Sequence, residues 1–423
     1  MKKLIIPLLL VSALLVSSND KIPESINSYY KNYVRNSDIN TESKIKNVIV
    51  FIGDGMGPNH VKAAEIYAGR EMTFSDDNNS NWTYHAYSNT DSLASNGFTL
   101  DESKSLLKPG ENPSLYDDSP SPYGSGANPS GYISPYTDSA AGGTAISTGV
   151  KVTNGRLAKD NYGRNIESLV DIAHGLNKKT GVLTSDNLAG ATPASFLANA
   201  YSRHETDAII ESASKSNADL IIAQNLSNWT NNQANYETMY RNAGFDNICY
   251  DVNSLNIDAN RELCLLPAIM PDGDRTVTLA ELTAYALDSL DNENGFFLMV
   301  EGSNIDKQSH SNQPLAMINE LLSFEHAVRT AEMWATGRND TLIVVTADHE
   351  TGALTFDENT ATKETIINDM KFLSYNHSRT RVTIDVFGDI SEFTNKYSDE
   401  FNTLEGKPYL DNTDIFKLCA SYL

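Results

Sequence analysis

Asn47-Val48-Ile49-Val50-Phe51-Ile52, followed at once by Gly53-Asp54-Gly55-Met56-Gly57, is the stretch on which the reading of the fold turns. An unbroken apolar run of this kind belongs to a strand covered on both faces, as in the middle of a parallel sheet. The glycine-rich segment then turns the chain into a predicted helix running through Ala68. Similar runs recur at 180–184, 219–223, 296–300, 342–346 and 382–387, and helical patterns at 166–175 and 313–336 fall between several of them. Strands alternating with helices over this length predict an α/β fold with a doubly wound, largely parallel sheet.

Such a sheet has a chemical consequence. Side chains just beyond the carboxyl ends of its strands converge on one crevice, so ligands far apart in sequence can meet. Asp54, Glu301, Asp306, His310, Asp348 and His349 each lie within about ten residues after a short apolar run, and His377 lies nearer the C-terminus. Asp306 and His310 are four apart, which on a helix puts a carboxylate and an imidazole on one face, within reach of one cation. Asp348-His349 follows the run Leu342 to Ala347 directly, and Asp54 stands between glycines that permit close backbone approach. Any one pair would pass as a capped or satisfied turn. Their recurrence at strand ends points to a polynuclear metal site.

Between the first two of these stretches stands Ser139, in Thr137-Asp138-Ser139-Ala140-Ala141-Gly142-Gly143-Thr144. It precedes a predicted helix, whose orphan amides favour an anion but equally accept a routine N-cap. A serine hydroxyl is a weak nucleophile, and no His-Asp triad pattern surrounds this one. Metal coordination is the natural means of activating it, which suggests phosphoryl transfer.

The ends and the composition bound the reading. Met1-Lys2-Lys3, the apolar run Leu4 to Val16 and the pair Ser17-Ser18 have the pattern of a secretory signal peptide over residues 1–18, predicting export to the periplasm or the medium. Residues 19–45 read as an N-terminal arm, with Ile26, Tyr29, Tyr30 and Tyr33 spaced for one helix face. The body is expected from 46 to 423. Its stretch 75–136, rich in Ser, Asn, Gly and Pro, reads as a long surface insertion leading to Ser139. A net charge of −23 disfavours nucleic-acid binding and demands local cations or an Arg wherever phosphate binds. No second hydrophobic stretch reaches membrane length. Cys249, Cys264 and Cys419 form no thiolate metal site. With export expected, a Cys249–Cys264 bridge is one reading, leaving Cys419 free or buried.

Taken together, the segments resemble the alkaline phosphatase family, from about residue 46 to the end. Six motifs stand in the family's order: Phe51-Ile52-Gly53-Asp54-Gly55-Met56-Gly57; Thr137-Asp138-Ser139-Ala140-Ala141; Ala191-Thr192-Pro193-Ala194 with Ser202-Arg203; Glu301-Gly302 with Asp306 and His310; Thr346-Ala347-Asp348-His349-Glu350-Thr351-Gly352; and His377-Ser378 before Val382. The resemblance implies a three-layer αβα sandwich with a central, mostly parallel sheet and surface insertions. It implies one zinc on Asp306, His310 and His377, a second on Asp54, Asp348 and His349 close to Ser139, and a magnesium on Asp54, Glu301 and Thr192. Arg203 would grip two phosphate oxygens with its planar fork. The implied reaction is hydrolysis of phosphate monoesters through a phosphoserine at Ser139, with inorganic phosphate released, and the implied assembly is a homodimer.

Two departures bear on the third metal. Two residues before Thr192, where family members often place Asp or His, this chain has Gly190, which bears on magnesium affinity and phosphate release. Lys307 follows Asp306, as in some bacterial members, and is a candidate for reaching phosphate through water. Competing readings are a phosphodiesterase, which lacks an anchor like Arg203, a sulfatase, disfavoured without a cysteine in the nucleophile segment, and a non-catalytic binding module, which would have lost a ligand or nucleophile that this chain retains.

Overall fold

The apolar run becomes β1 (Asn47–Gly53), and all seven of its residues are buried. In the computed structural model, which describes residues 44–92, 136–160, 163–271 and 277–423, β1 is central to an eleven-stranded sheet. The other strands of that sheet are β2 (Trp82–Ser88), β3 (Lys179–Asn187), β4 (Leu220–Gln224), β5 (Asn247–Cys249), β6 (Glu262–Leu266), β7 (Phe296–Gly302) and β8 (Thr341–Thr346). Four two-residue strands outside it come next, β9 (Glu350–Thr351), β10 (Leu354–Thr355), β11 (Lys371–Phe372) and β12 (His377–Ser378). The large sheet resumes with β13 (Val382–Phe387), β14 (Asn402–Leu404) and β15 (Lys407–Leu410). Its order is β14-β15-β2-β13-β8-β1-β7-β3-β4-β6-β5. From β8 to β5 every neighbouring pair is parallel; β13 runs antiparallel to both β8 and β2.

Alternate residues of β1 serve two separate cores, as the period of two in a strand requires. Ile49 and Phe51, with Leu298, Val300, Ile343 and Val345 of the flanking strands, pack on α1 (Pro58–Ala68), on a helix at Leu279–Leu290 and on the long helix at Pro314–Ala335. Val48, Val50 and Ile52 pack on the opposite side with Ile146 of α2 (Ser139–Thr148), with Leu169 and Val170 of α3 (Leu169–Gly175) and with Phe196 of α4 (Ala191–Leu197). Helices on both faces of one mostly parallel sheet make the three-layer αβα architecture that the sequence predicts.

One expectation is corrected. The stretch 75–136 does not begin as a surface loop: β2 lies inside the sheet, between β13 and β15. Its polar composition concealed it, because a strand near a sheet edge, antiparallel to β13 and parallel to β15, needs only some of its residues buried, as at Trp82, Ala86 and Ser88. Residues 93–135, the expected signal peptide at 1–18 and nearly all of the N-terminal arm lie outside the described residues. β5 and β6 bring Cys249 opposite Cys264, and the two form a disulfide; Cys419 is a buried free thiol. Among the described residues, no helix is long and apolar enough to cross a membrane.

Candidate active site

β8, β1, β7 and β3 are consecutive in the sheet, so their carboxyl ends form one continuous edge. Asp348 lies two residues beyond β8, Asp54 directly follows β1, and Glu301 is the penultimate residue of β7. Register places Ile52 beside both Glu301 and Thr346, and Thr184 beside Glu301. The turn after β1 needs Gly55. Its φ is +73°, and a Cβ there would lie 2.8 Å from Thr351 Oγ1 and 2.9 Å from the Asp306 Cα. Asp54 thereby reaches the crevice with backbone packed tightly behind it.

A short helix, α5 (Asn304–His310), leaves the end of β7 and presents Asp306 and His310 on one face, with His310 Nε2 3.3 Å from Asp306 Oδ1. His377 arrives on β12, which pairs antiparallel with β9. Two backbone carbonyls set the histidine tautomers. His310 Nδ1 is 2.5 Å from the Tyr375 carbonyl oxygen and His377 Nδ1 is 2.6 Å from that of Thr137. A carbonyl only accepts, so each Nδ1 carries the proton and donates, and each Nε2 offers a lone pair to the crevice. Those two Nε2 atoms are 3.1 Å apart, and His377 Nε2 is 3.7 Å from Asp306 Oδ1.

His349 joins this cluster to a second. Its Nε2 lies 3.3 Å from Asp348 Oδ2, 3.5 Å from Asp54 Oδ1 and 3.1 Å from Ser139 Oγ. Asp306, His349 and His377, and likewise Asp54, Asp348 and His349, each bring one donor atom within 4.8 Å of the others.

The donor chemistry fits cations. Asp54 Oδ1, Asp348 Oδ2, Glu301 Oε1 and Thr192 Oγ1 are buried without a hydrogen-bond partner, which costs free energy unless something positive compensates. Two imidazole lone pairs facing each other at 3.1 Å make the same demand. Burial, reinforced by Asp348, pushes the Asp54 carboxyl well above the usual range. Burial and then the charge of Asp306 push Asp348 up to about 7. Glu301 is pushed up to about 8, first by burial and then by Asp186. At Asp306 burial also acts upward, but positive charge on the surrounding imidazoles, when they are protonated, and the Thr351 hydroxyl outweigh it and hold the carboxyl below its ordinary value. Burial pushes His349 well below its ordinary value, which keeps its ring neutral and able to ligate.

Ser139 is the first residue of α2, and its neighbour Asp138 holds it in place. Asp138 Oδ1 accepts from the Ala141 amide at 2.9 Å, capping the helix, while Oδ2 accepts from the Gly155 amide at 2.9 Å and from Arg203 Nη1 at 3.1 Å. α2 can lie this close to the metal edge because residue 142 lacks a side chain: a Cβ on Gly142 would stand 2.7 Å from the Asp348 carbonyl oxygen. One carboxylate therefore fixes both the serine-bearing turn and the guanidinium. Asp138→Ala is expected to lower stability by about 1–3 kcal/mol through the lost cap and amide bond, and to weaken inhibition by inorganic phosphate as Arg203 loses its orientation. Thermal unfolding and phosphate inhibition check this; unchanged inhibition would show that Arg203 is positioned by other contacts.

Thr192 is in the first turn of α4, with Gly190 as the residue before that helix. Lys307 Nζ is engaged by Asp186 Oδ1 at 2.8 Å and by Ser303 Oγ at 3.3 Å. All eight expected metal ligands thus lie along one edge of the fold or on segments leaving it, with Ser139 and Arg203 at its side. Sequence reasoning passed over the residues that orient them. Thr351 Oγ1 donates to Asp306 Oδ1 at 2.5 Å, Thr184 Oγ1 donates to Glu301 Oε2, and Asp138 acts as described. Thr351 and Asp138 stood inside quoted motifs, but a hydroxyl or carboxylate beside a ligand gives no sign of its partner.

The alkaline phosphatase family model matches residues 126–233 and 266–407, more than half of the chain. The chain belongs to the alkaline phosphatase family. Its relatives include alkaline phosphatase 4 of Bacillus subtilis, 29% identical over 75% of this chain and 64% of that protein, which is just under two thirds of its length. The Escherichia coli alkaline phosphatase is 27% identical over 73% of this chain and 71% of its own. Among solved structures, the fold is similar to alkaline phosphatase from the Antarctic bacterium TAB5 (TM-score 0.67, 23% identity, 89% of this chain and 97% of that one). It is similar also to the Thermus thermophilus enzyme (TM-score 0.66, 17% identity, 96% of each). A TAB5 variant solved with magnesium bound in its M3 site matches with a TM-score of 0.68 at 24% identity, over 89% of this chain and 97% of that one.

Proposed function

We propose that this family member hydrolyses phosphate monoesters through a phosphoserine at Ser139, using two zinc ions and one magnesium. The observation that carries the reading is Ser139 Oγ lying 3.1 Å from His349 Nε2, beside buried carboxylate oxygens that lack partners. Asp306, His310 and His377 would hold one zinc, Asp54, Asp348 and His349 the other, and Asp54, Glu301 and Thr192 the magnesium. When bound, such cations supply the positive charge that favours a serine alkoxide and neutralises the oxygens entering and leaving phosphorus.

The rest falls to the chain. Arg203, held by Asp138, receives two oxygens of the phosphoryl group in its fork and sets the phosphorus against Ser139. Ser139 releases its proton to solvent and its Oγ forms a bond to phosphorus as the bond to the ester oxygen breaks, and the alcohol leaves with a proton from solvent. Water then attacks the phosphoserine, the phosphorus–Oγ bond breaks, and inorganic phosphate departs with the proton returned to Ser139. Carbonyl-anchored Nδ1 protons keep His310 and His377 in the tautomer that ligates. That the enzyme works in an oxidising compartment, as its opening pattern predicts, is supported by the Cys249–Cys264 disulfide.

The test compares an aryl phosphate monoester with the matching diester from neutral to alkaline pH, before and after chelation and metal replacement. Chelator-sensitive monoester hydrolysis is expected. Dominant diester cleavage would move the protein to phosphodiester chemistry, and the absence of any metal-restored hydrolysis would leave a binding module.

A further inference from the structure

Gly190 leaves a gap in the sequence of the third cluster, and the structure shows what occupies the space. A Cβ on Gly190 would fall 2.5 Å from Asp186 Oδ2, 2.8 Å from its Cγ and 3.0 Å from its Cβ. The backbone of Gly190, at φ −54° and ψ 145°, lies in a region open to L-residues, and the atoms nearest to a Cβ there all belong to the Asp186 side chain. The Asp186 carboxylate stands where a side chain at 190 would begin.

Asp186 is tied to the same cluster. It lies near the end of β3, and its amide donates to Thr184 Oγ1 at 2.7 Å; Thr184 in turn donates to Glu301 Oε2. Its Oδ1 accepts from Lys307 Nζ at 2.8 Å, from the Asn187 amide at 2.7 Å and from Asn187 Nδ2 at 3.0 Å. These bonds all fall on Oδ1, while Oδ2 faces Gly190. Two residues beyond Gly190, Thr192 Oγ1 is buried without a partner, as is Glu301 Oε1. Both residues are 1% exposed. The charge of Asp186 is felt at Glu301 more strongly than that of any other carboxylate. Two neighbouring anions and a buried hydroxyl oxygen without a partner describe a site for a hard divalent cation. Magnesium, which keeps several waters, suits one whose anionic neighbours act partly through its hydration shell.

We infer that Asp186 supplies the third cation site with the carboxylate that residue 190 lacks, and that Lys307 holds it there. The inference rests on the proposed two-zinc, one-magnesium reading and relocates one of its residues: the anionic group is delivered from the end of β3 instead of from the start of α4.

The experiment measures magnesium binding by calorimetry to zinc-loaded protein, with zinc and magnesium counted per chain. The native chain is compared with Asp186→Ala, Gly190→Asp and the double variant Asp186→Ala/Gly190→Asp. Asp186→Ala is expected to weaken magnesium at least about tenfold with zinc content unchanged, the order found for residues that support a metal's ligands. Gly190→Asp alone is expected to disturb the site, because its Cβ meets Asp186. The double variant is expected to recover magnesium affinity beyond either single change, which shows that the variants fold. Native-like magnesium binding by Asp186→Ala, a double variant no better than Asp186→Ala, or a native chain that takes up no third cation would each overturn the inference. Zinc and magnesium uptake as expected without monoester hydrolysis would sink the phosphatase reading alone.

Discussion

Ser139→Ala protein is expected to lose at least about 10³-fold in kcat/KM for an aryl phosphate, while keeping its fold and its zinc content. The size follows from the position of the hydroxyl. Ser139 is 4% exposed and starts α2 under the Asp138 cap, so its Oγ is held within 3.1 Å of His349 Nε2 before substrate arrives. Removing the oxygen leaves Arg203 and the metal ligands in place and deletes only the group to which phosphorus would transfer. The variant should therefore bind inorganic phosphate nearly as well as the native protein, and it should yield no phosphorylated chain when quenched in acid. A second serine or a directly attacking water would show itself as retained turnover, and that result would remove the phosphoserine from the mechanism.

Metal removal should have the second large effect, and its size should depend on pH. Chelated protein is expected to be inactive and to unfold at lower temperature, with the gap between chelated and metal-loaded protein wider at about pH 8.5 than at about pH 6. Glu301 and Asp348 have folded values raised to about 8 and about 7, against an unfolded carboxyl value of about 4. Raised carboxyls make a contribution to metal-free stability that is fully present below about pH 4 and is lost as pH rises through about 7 to 8. Cation binding needs these groups ionised, so affinity rises across the same interval. Ligand that binds only the folded state stabilises it in proportion to the logarithm of its concentration over Kd, about 4 kcal/mol at a thousandfold excess. Thermal unfolding at the two pH values with chelator and with zinc plus magnesium decides it. A gap that is equal at both, or wider at the lower pH, would mean that these carboxyls do not titrate against a bound cation.

Part of the candidate site is legible in the chain because Asp54, Glu301 and Asp348-His349 follow apolar runs that betray their place, whereas Thr192 and Arg203 are picked out only by the family resemblance. Val48 to Ile52 are fully buried, and a continuous apolar run is the only way to build such a strand; the residues after it must then lie at the sheet's edge. The same logic located Glu301 after 296–300 and Asp348-His349 after 342–346. It failed for β2, where Thr83 is exposed and Tyr84, His85 and Tyr87 are half-buried, so that a sheet strand reads as polar loop. It also gave Asp186 no meaning, because a carboxylate in a turn after a strand is ordinary until its neighbour across the turn is known.

Residue type and periodicity were enough to predict the class of sheet and to single out candidate metal-ligating and nucleophilic side chains, while the order of the motifs carried the resemblance to the family. Those features reside within single segments, so the chain carries them locally. Tertiary packing alone set the strand order that makes β8, β1, β7 and β3 neighbours, the carbonyls that fix the His310 and His377 tautomers, the hold of Asp138 on Arg203, and the seating of Asp186 in the space left by Gly190. Such contacts join residues as much as 294 positions apart, as between Asn47 and Thr341. Their partners are chosen by which segments pack together, and no local pattern in the sequence records that choice.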